Sequence, residues 1–136
     1  MESHGVGASD SETVLRAIDE VSFRGTDSVV PSSLEGMCVQ DADRLDAIGA
    51  IGVARAFSFG ASRGRRMYDP DVPPSLGMDE TAYRNAVSHT VNHFYEKLFL
   101  LRDMMNTPSA RRIAEERDRF MHGFIDEFIS EWNGER

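Results

Sequence analysis

Residues 39–52 read VQDADRLDAIGAIG, a segment in which three aspartates lead into a run of small and apolar residues. On a helix Asp43 and Asp46 share a face, whereas Asp41 points elsewhere. The row that begins at Asp43 continues with alanines at positions 47, 50 and 54. Small side chains allow another helix to approach closely, so we expect Asp43 to be partly buried. A buried carboxylate needs a cation, a metal ion or several hydrogen-bond donors.

A structural interpretation of the same aspartates stays open. In that interpretation Asp41 and Asp46 are solvated and Asp43 pairs with an arginine such as Arg44 or Arg55, since ion pairs of this kind are common. A calcium-binding loop is excluded, because Leu45 stands where such a loop needs an oxygen ligand.

Composition limits the classes of function. The chain has 136 residues, 40% hydrophobic and 28% charged, which predicts one globular domain. Its net charge of −8 argues against nucleic acid as a partner, but a phosphorylated small molecule is compatible with a local arginine cluster or a metal ion. The chain has no apolar run long enough to cross a membrane. Its single cysteine, Cys38, fits a reducing cytoplasm, and we expect it in the core.

The first half of the chain predicts a disordered tail over residues 1–9 and a helical domain over 10–134. Ser9 and Ser32 each stand three residues before a glutamate, the spacing of a capping box. The helix after Ser9 is expected to turn a set of apolar side chains inward: Val14, Leu15, Ile18 and Val21. A further helix over 37–59 contains Gly49 and Gly52, whose cost must be offset by close packing, a kink or a break.

The second half predicts a long loop over 60–78 and then two helices. The first helix spans about 79–105, with one apolar stripe of Val87, Val91, Phe94, Leu98, Leu101 and Met105. Thr107 as N-cap and Pro108 at the first position start the last helix, which runs to about Trp132. Its apolar face is expected to hold Ile113, Phe120, Phe124, Phe128 and Trp132. No strand pattern is present, and the predicted fold class is all-α.

Two groups of basic residues are candidate ligand contacts. His89 and His93 have the spacing of zinc-binding helices, but Thr90 stands where a metalloprotease needs glutamate, so we favour two polar-face histidines. His93 and Lys97, one turn apart, are a candidate pair for phosphate oxygens. The arginines of the loop 59–70 include Arg63 and Arg65 and are suited to an anion, although an exposed flexible loop is an equally good interpretation.

Several segments, in order, resemble a known family. They are EVSFRG at 20–25, LEG at 34–36, VQDADRLDAIGAIGVARAF at 39–57, residues 65–70, HFYEKL at 93–98, Asn106-Thr107 and AEER at 114–117. Together they resemble the C-terminal part of bacterial HD-domain phosphohydrolases of the small, single-domain type, over about residues 10–134.

The resemblance implies an all-α, HD-like helical bundle. It also implies a divalent metal ion, manganese or magnesium, held by a histidine, a His-Asp doublet and a later aspartate, which here is Asp43. Some relatives are nucleotide pyrophosphohydrolases, so a nucleotide is the implied substrate class. Arg63, Arg65, His93 and Lys97 are candidate phosphate contacts by position and chemistry.

The chain departs from the family pattern in its histidines. It contains no His-Asp dipeptide, and only His4 precedes Asp43. Three of the four expected ligands are absent, so we expect a domain incomplete at its N-terminus and inactive as this chain alone. The alternative is a non-catalytic remnant or an α-helical interaction module that binds a partner chain on an exposed apolar surface.

Overall fold

The computed structural model describes residues 7–86 and 88–135, and over these it is all-α, with six α-helices and no strand. The helices are α1 (Ala8–Val21), α2 (Leu34–Asp46), α3 (Gly49–Ser62), α4 (Glu80–Asn85), α5 (Thr90–Glu96) and α6 (Pro108–Trp132). Short 3₁₀ turns span Gly25–Asp27 and Leu98–Arg102. The all-α prediction is confirmed. Residues 1–6, which include His4 and form most of the expected tail, lie outside the described residues. Val87 of the expected apolar stripe also lies outside them.

The core lies where α3 and the turn Leu98–Arg102 pack against α6, with α5 packed on α3 and on that turn. The apolar stripe is confirmed over its described members, because the side chains from Val91 to Met105 are at most 3% exposed: Val91, Phe94, Leu98, Leu101 and Met105. The long helix expected over 79–105 is wrong, since α4 ends at Asn85, α5 begins at Thr90, and Ala86 and His89 are extended. Asp79 and His89 each accept a hydrogen bond from a backbone N–H three residues later and so start separate helices.

The two glycines of the segment 37–59 lie in the first turn of α3, just after a break that separates it from α2. The segment 37–59 is not one helix, because Ile48 is extended and Gly49 has a φ of +79°. A Cβ on Gly49 would stand 2.9 Å from Cγ of Arg117, and one on Gly52 would meet the carbonyl oxygen of Ala47. Glycine is needed at position 49 both for its backbone conformation and for the close approach of α6.

Helix starts agree only in part with the sequence. Thr107 caps α6 as expected, and the helix ends at Trp132. The caps at Ser9 and Ser32 are wrong, because α1 begins after Gly7 and α2 is capped by Ser33. Ser32 instead donates its hydroxyl and its backbone N–H to the carboxylate of Glu20, which ties the start of α2 to α1.

The expected inner faces of α1 and α6 are partly wrong. Val14, Leu15 and Ile18 are 43–57% exposed, and Ala17 is the buried apolar residue of α1. Cys38 is also exposed. On α6 the buried row is Ala110, Ala114, Asp118, Met121 and Ile125. The aromatic row drifts around the helix by about 40° at each four-residue step, so Phe124 and Phe128 reach the core while Phe120 and Trp132 stay half exposed.

None of the helices described here is long and apolar enough to cross a membrane.

Candidate functional site

A cleft of about 390 Å³ opens between α3, α5 and the segments that flank α4. This volume lies within the range of small-molecule sites. Its walls combine small and apolar residues with charged ones. The charged and polar members are Arg55, Arg65, Tyr83, Ser88, Thr90, His93, Glu96 and Lys97, and the others are Ala47, Gly52, Ala56, Phe59, Gly60, Ala86 and Leu98.

The two main walls of the cleft, α3 and α5, meet at a close contact between a glycine and a threonine. A Cβ added to Gly60 in α3 would stand 2.2 Å from Oγ1 of Thr90, the first residue of α5. The backbone of α3 therefore lies directly against α5. The backbone N–H of Thr90 also donates to the carbonyl of Arg66 at 3.0 Å, which holds the basic loop at the same end of the cleft.

Three of the four predicted phosphate contacts line this cleft. Arg65, His93 and Lys97 come together although they belong to a loop, a helix and a helix C-cap. Arg63 is not among the lining residues, and its guanidinium carbon lies 5.2 Å from the centroid of the Phe59 ring. Three of the four candidate residues thus lie in one cleft, and their role as phosphate contacts stays a prediction.

Lys97 is the central cation of the cleft. Its ammonium lies 5.2 Å from the ring centroid of Phe23 and 6.0 Å from that of Tyr83. Burial lowers the pKa of Lys97, the Asp43 carboxylate opposes that shift, and Arg55 adds to it. In the part of the chain that the structure describes, no ion pair within 4.0 Å involves Lys97.

His93 enters the cleft as a neutral side chain. Burial, together with the charges of Lys97 and Arg65, lowers its pKa from 6.5 to about 4. At neutral pH the imidazole therefore offers one N–H donor and one acceptor. The expected His/Lys pair consists of a cation and a neutral hydrogen-bonding group.

Glu96 and Tyr83 form a polar side of the cleft that sequence reasoning missed. Glu96 is buried and accepts hydrogen bonds from the backbone N–H of Ser75 at 3.0 Å and from Oγ of Ser88 at 3.2 Å. Burial, and then the Glu96 charge, raise the pKa of Tyr83 to about 12, and Arg65 opposes that shift. The only sequence signal was the position of Glu96 next to Lys97.

The aspartates of α2 reverse the expected pattern of burial. Asp41, which the structural interpretation expected to be solvated, is 3% exposed and accepts hydrogen bonds from the backbone N–H groups of Asn106 and Thr107, both at 2.8 Å. Asp43, expected to be partly buried, is exposed. The expectation failed because periodicity identifies a shared face but not which face α6 covers.

The two arginines that the structural interpretation paired with Asp43 have other partners. Arg44 is buried and donates to the carbonyl oxygen of Met104, and Arg55 forms an ion pair with Asp46. Asp43 instead acts on Lys97 through its charge, which opposes the effect of burial on the pKa of Lys97, although Asp43 is not among the residues that line the cleft.

A complete metal site does not fit the residues present. Within 7–86 and 88–135 there is no cluster of three histidine, cysteine, aspartate or glutamate side chains that could hold a metal ion. His89 is buried at the start of α5: Nδ1 accepts from the N–H of Asn92 at 3.2 Å, and Nε2 lies 3.1 Å from the carbonyl of Val72. Both ring nitrogens are in use, so His89 is neither a polar-face residue nor a zinc ligand.

Comparison with known proteins shows what this chain resembles. No family model matches it. The Bacillus subtilis protein YpgQ is 44% identical over 123 residues, which cover 89% of this chain and 52% of YpgQ. The chain thus spans about half the length of the curated relative that it matches.

Solved structures share the fold. A Lactobacillus plantarum protein is 43% identical with a TM-score of 0.89, over 98% of this chain and 63% of the other. An HD-superfamily hydrolase from Bacillus thuringiensis is 45% identical with a TM-score of 0.70, over 97% and 58%. YpgQ in complex with ADP is 39% identical with a TM-score of 0.71, over 93% and 55%. The helices of this chain have the HD-like arrangement of these proteins.

Proposed function

We propose that this chain carries the phosphate-binding cleft of a divalent-metal-dependent phosphohydrolase that acts on nucleotides. The observation that supports it best is the convergence of Arg65, His93 and Lys97 on one cleft in a chain of net charge −8. A local cationic cleft in an acidic protein selects anions that fit it and repels long polyanions.

Each of the three side chains has a distinct role in this proposal. The Lys97 ammonium is a compact charge for a phosphate oxygen, and the Arg65 guanidinium can contact two oxygens at once. His93, neutral at pH 7 because its pKa is about 4, donates its N–H without adding charge. Together they hold and orient the phosphate group.

The metal part of the proposal rests on Asp43 alone within this chain. A bound divalent ion would polarise a phosphoryl oxygen and activate water, and Asp43 is the ligand that we assign to it. Because the described residues do not complete such a site, we expect this chain alone to bind nucleotides without hydrolysing them.

The similar proteins support the same reading. One solved neighbour is an HD-superfamily hydrolase, and YpgQ was crystallised with ADP. This chain covers 58% and 55% of those two proteins. We propose that the part it covers includes their phosphate-binding cleft. A cytoplasmic location, where nucleotides are abundant and a single cysteine stays reduced, belongs to the proposal as well.

The test is calorimetric titration of the chain with ADP. We expect saturable binding that Lys97→Gln weakens about tenfold or more, as for the loss of one charged phosphate contact. Arg119→Gln is the matched control, because Arg119 is exposed on α6 and outside the cleft. Equal effects of the two variants, or no binding of ADP by the parent chain, would refute the proposal.

A second candidate, an α-helical interaction module, is favoured by one observation: Val14, Leu15 and Ile18 of α1 are exposed. This candidate does not require the cleft to bind anything. A chain that ignores ADP and pyrophosphate at millimolar concentration would favour it over the phosphohydrolase.

A further inference from the structure

Phe59 differs from the other aromatic residues near it. Phe57, two positions earlier, packs its ring against Phe94, Phe124 and Phe128. Phe59 lies in the last turn of α3, is 52% exposed and lines the cleft. In the part of the chain that the structure describes, its ring contacts no other aromatic ring. Hence a half-exposed apolar ring lies in the same cleft as the charged side chains of Arg55, Arg65 and Lys97.

One face of the Phe59 ring already holds a cation. The guanidinium carbon of Arg63 lies 5.2 Å from the ring centroid, the distance of a cation–π contact. This contact orients the ring from one side and leaves half of its surface exposed. An aromatic ring backed by a guanidinium is suited to stacking a second planar group on its free face.

The neighbours of Phe59 place this ring next to phosphate-binding chemistry. Arg55 precedes it by one helical turn and lines the same cleft. The backbone N–H of Arg65 donates to the carbonyl of Gly60 at 2.9 Å, so the Arg65 residue folds back onto the turn that carries Phe59. A ligand that meets both features must combine a flat apolar part with an anionic part.

We infer that Phe59 is the stacking platform for the base of a nucleoside phosphate bound in this cleft. The base lies on the exposed part of the ring, and the phosphates face Arg65 and Lys97. This inference rests on the proposed function, since it assigns a second half to the same ligand. Stacking on an aromatic ring is tolerant of base identity, because every base has a π face. The subsite therefore accepts nucleotides as a class.

The test compares two probes, ADP and inorganic pyrophosphate, by calorimetric titration of the full chain. Both carry a diphosphate, but only ADP has a base. We expect Phe59→Ala to weaken ADP binding by roughly 5- to 100-fold, the range for loss of one base–aromatic stack, and to leave pyrophosphate binding within about twofold. Phe59→Trp should retain ADP binding.

Two further variants complete the design. Phe120→Ala is the matched control, because Phe120 is 49% exposed on α6 and outside the cleft; it should change neither affinity. Lys97→Gln should weaken both probes. Unfolding curves of all variants show whether any change in affinity reflects lost structure.

The outcomes separate the inference from the function on which it rests. If Phe59→Ala leaves ADP affinity unchanged while Lys97→Gln lowers it, the subsite is wrong and the phosphate cleft stands. If Phe59→Ala weakens both probes equally in a stably folded chain, Phe59 shapes the cleft and does not contact a base. If the parent chain binds neither probe, both proposals fall.

Discussion

The carboxylate of Asp41 accepts a hydrogen bond of 2.8 Å from the backbone N–H of Thr107, 66 residues further along the chain. The N–H of Asn106 donates to the other carboxylate oxygen, also at 2.8 Å. Two partly buried backbone donors at the start of α6 thus depend on a side chain of α2. Helix starts leave such donors unpaired, and an anion is favourable there.

We expect Asp41→Ala to lower the free energy of unfolding by about 1–3 kcal/mol, because it leaves two partly buried donors unpaired. Asp43→Ala, two residues away and exposed, should change it by less than about 0.5 kcal/mol. Urea unfolding of both variants measures the difference. Equal effects would show that the clamp at Thr107 contributes little.

We expect the stability of the folded chain to depend on pH through the protonation of His93. Its pKa is about 4 in the folded chain against 6.5 ordinarily, so the unfolded state binds the proton more tightly. Its contribution to stability is fully present above pH 6.5 and is lost as the pH falls toward 4, by at most about 3 kcal/mol. Thermal unfolding from pH 4 to pH 8 measures it.

A variant isolates this contribution from that of the carboxylates. His93→Gln should flatten the difference in stability between pH 6.5 and pH 4. A wild-type profile that His93→Gln does not alter would contradict the lowered pKa.

The positive φ of Gly49 and its contact with Arg117 predict a measurable difference between two glycines. Gly49→Ala is expected to cost about 2–3 kcal/mol, from backbone strain and from the approach of Cβ to Arg117. Gly64→Ala has a similar φ of +67° but open space around its Cβ, so it should cost only about 1 kcal/mol. Chemical denaturation compares them, and equal costs would exclude a packing effect at Gly49.

Glu96 should hold the loop between α3 and α4 in place. Because its carboxylate accepts the N–H of Ser75, Glu96→Ala should release the loop and speed tryptic cleavage in the segment 63–66 severalfold. Glu115→Ala, exposed on α6, is the control. Mass spectrometry of the first fragments measures the rate, and unchanged cleavage would show that other contacts hold the loop.

The features that the sequence predicted correctly are those determined by residues close together along the chain. Thr107-Pro108 specifies the start of α6, and the stripe from Val91 to Met105 specifies the core, so both were correct. The meeting of His93 and Lys97 follows from their spacing of four residues. These features depend on neighbours along the chain.

The remaining features depend on neighbours in space. Periodicity placed Asp41 and Asp43 on different faces but could not tell which of them α6 covers. The break before Thr90 depends on a hydrogen bond from Asn92 to the His89 ring, which competes with helix continuation. Glu96, Tyr83 and Arg55 join the cleft only through tertiary contacts.

The contact between Gly60 and Thr90 has a consequence for how such a cleft can diversify. Since the backbone of α3 touches the Thr90 side chain of α5 there, the spacing of the walls depends on this contact and not on Arg55, Phe59 or Lys97. Exchange of Arg55, Phe59 or Lys97 alters the chemistry offered to a ligand while the frame stays the same. Selectivity and stability are thereby separable traits, and substitutions can explore new ligands at little risk to folding.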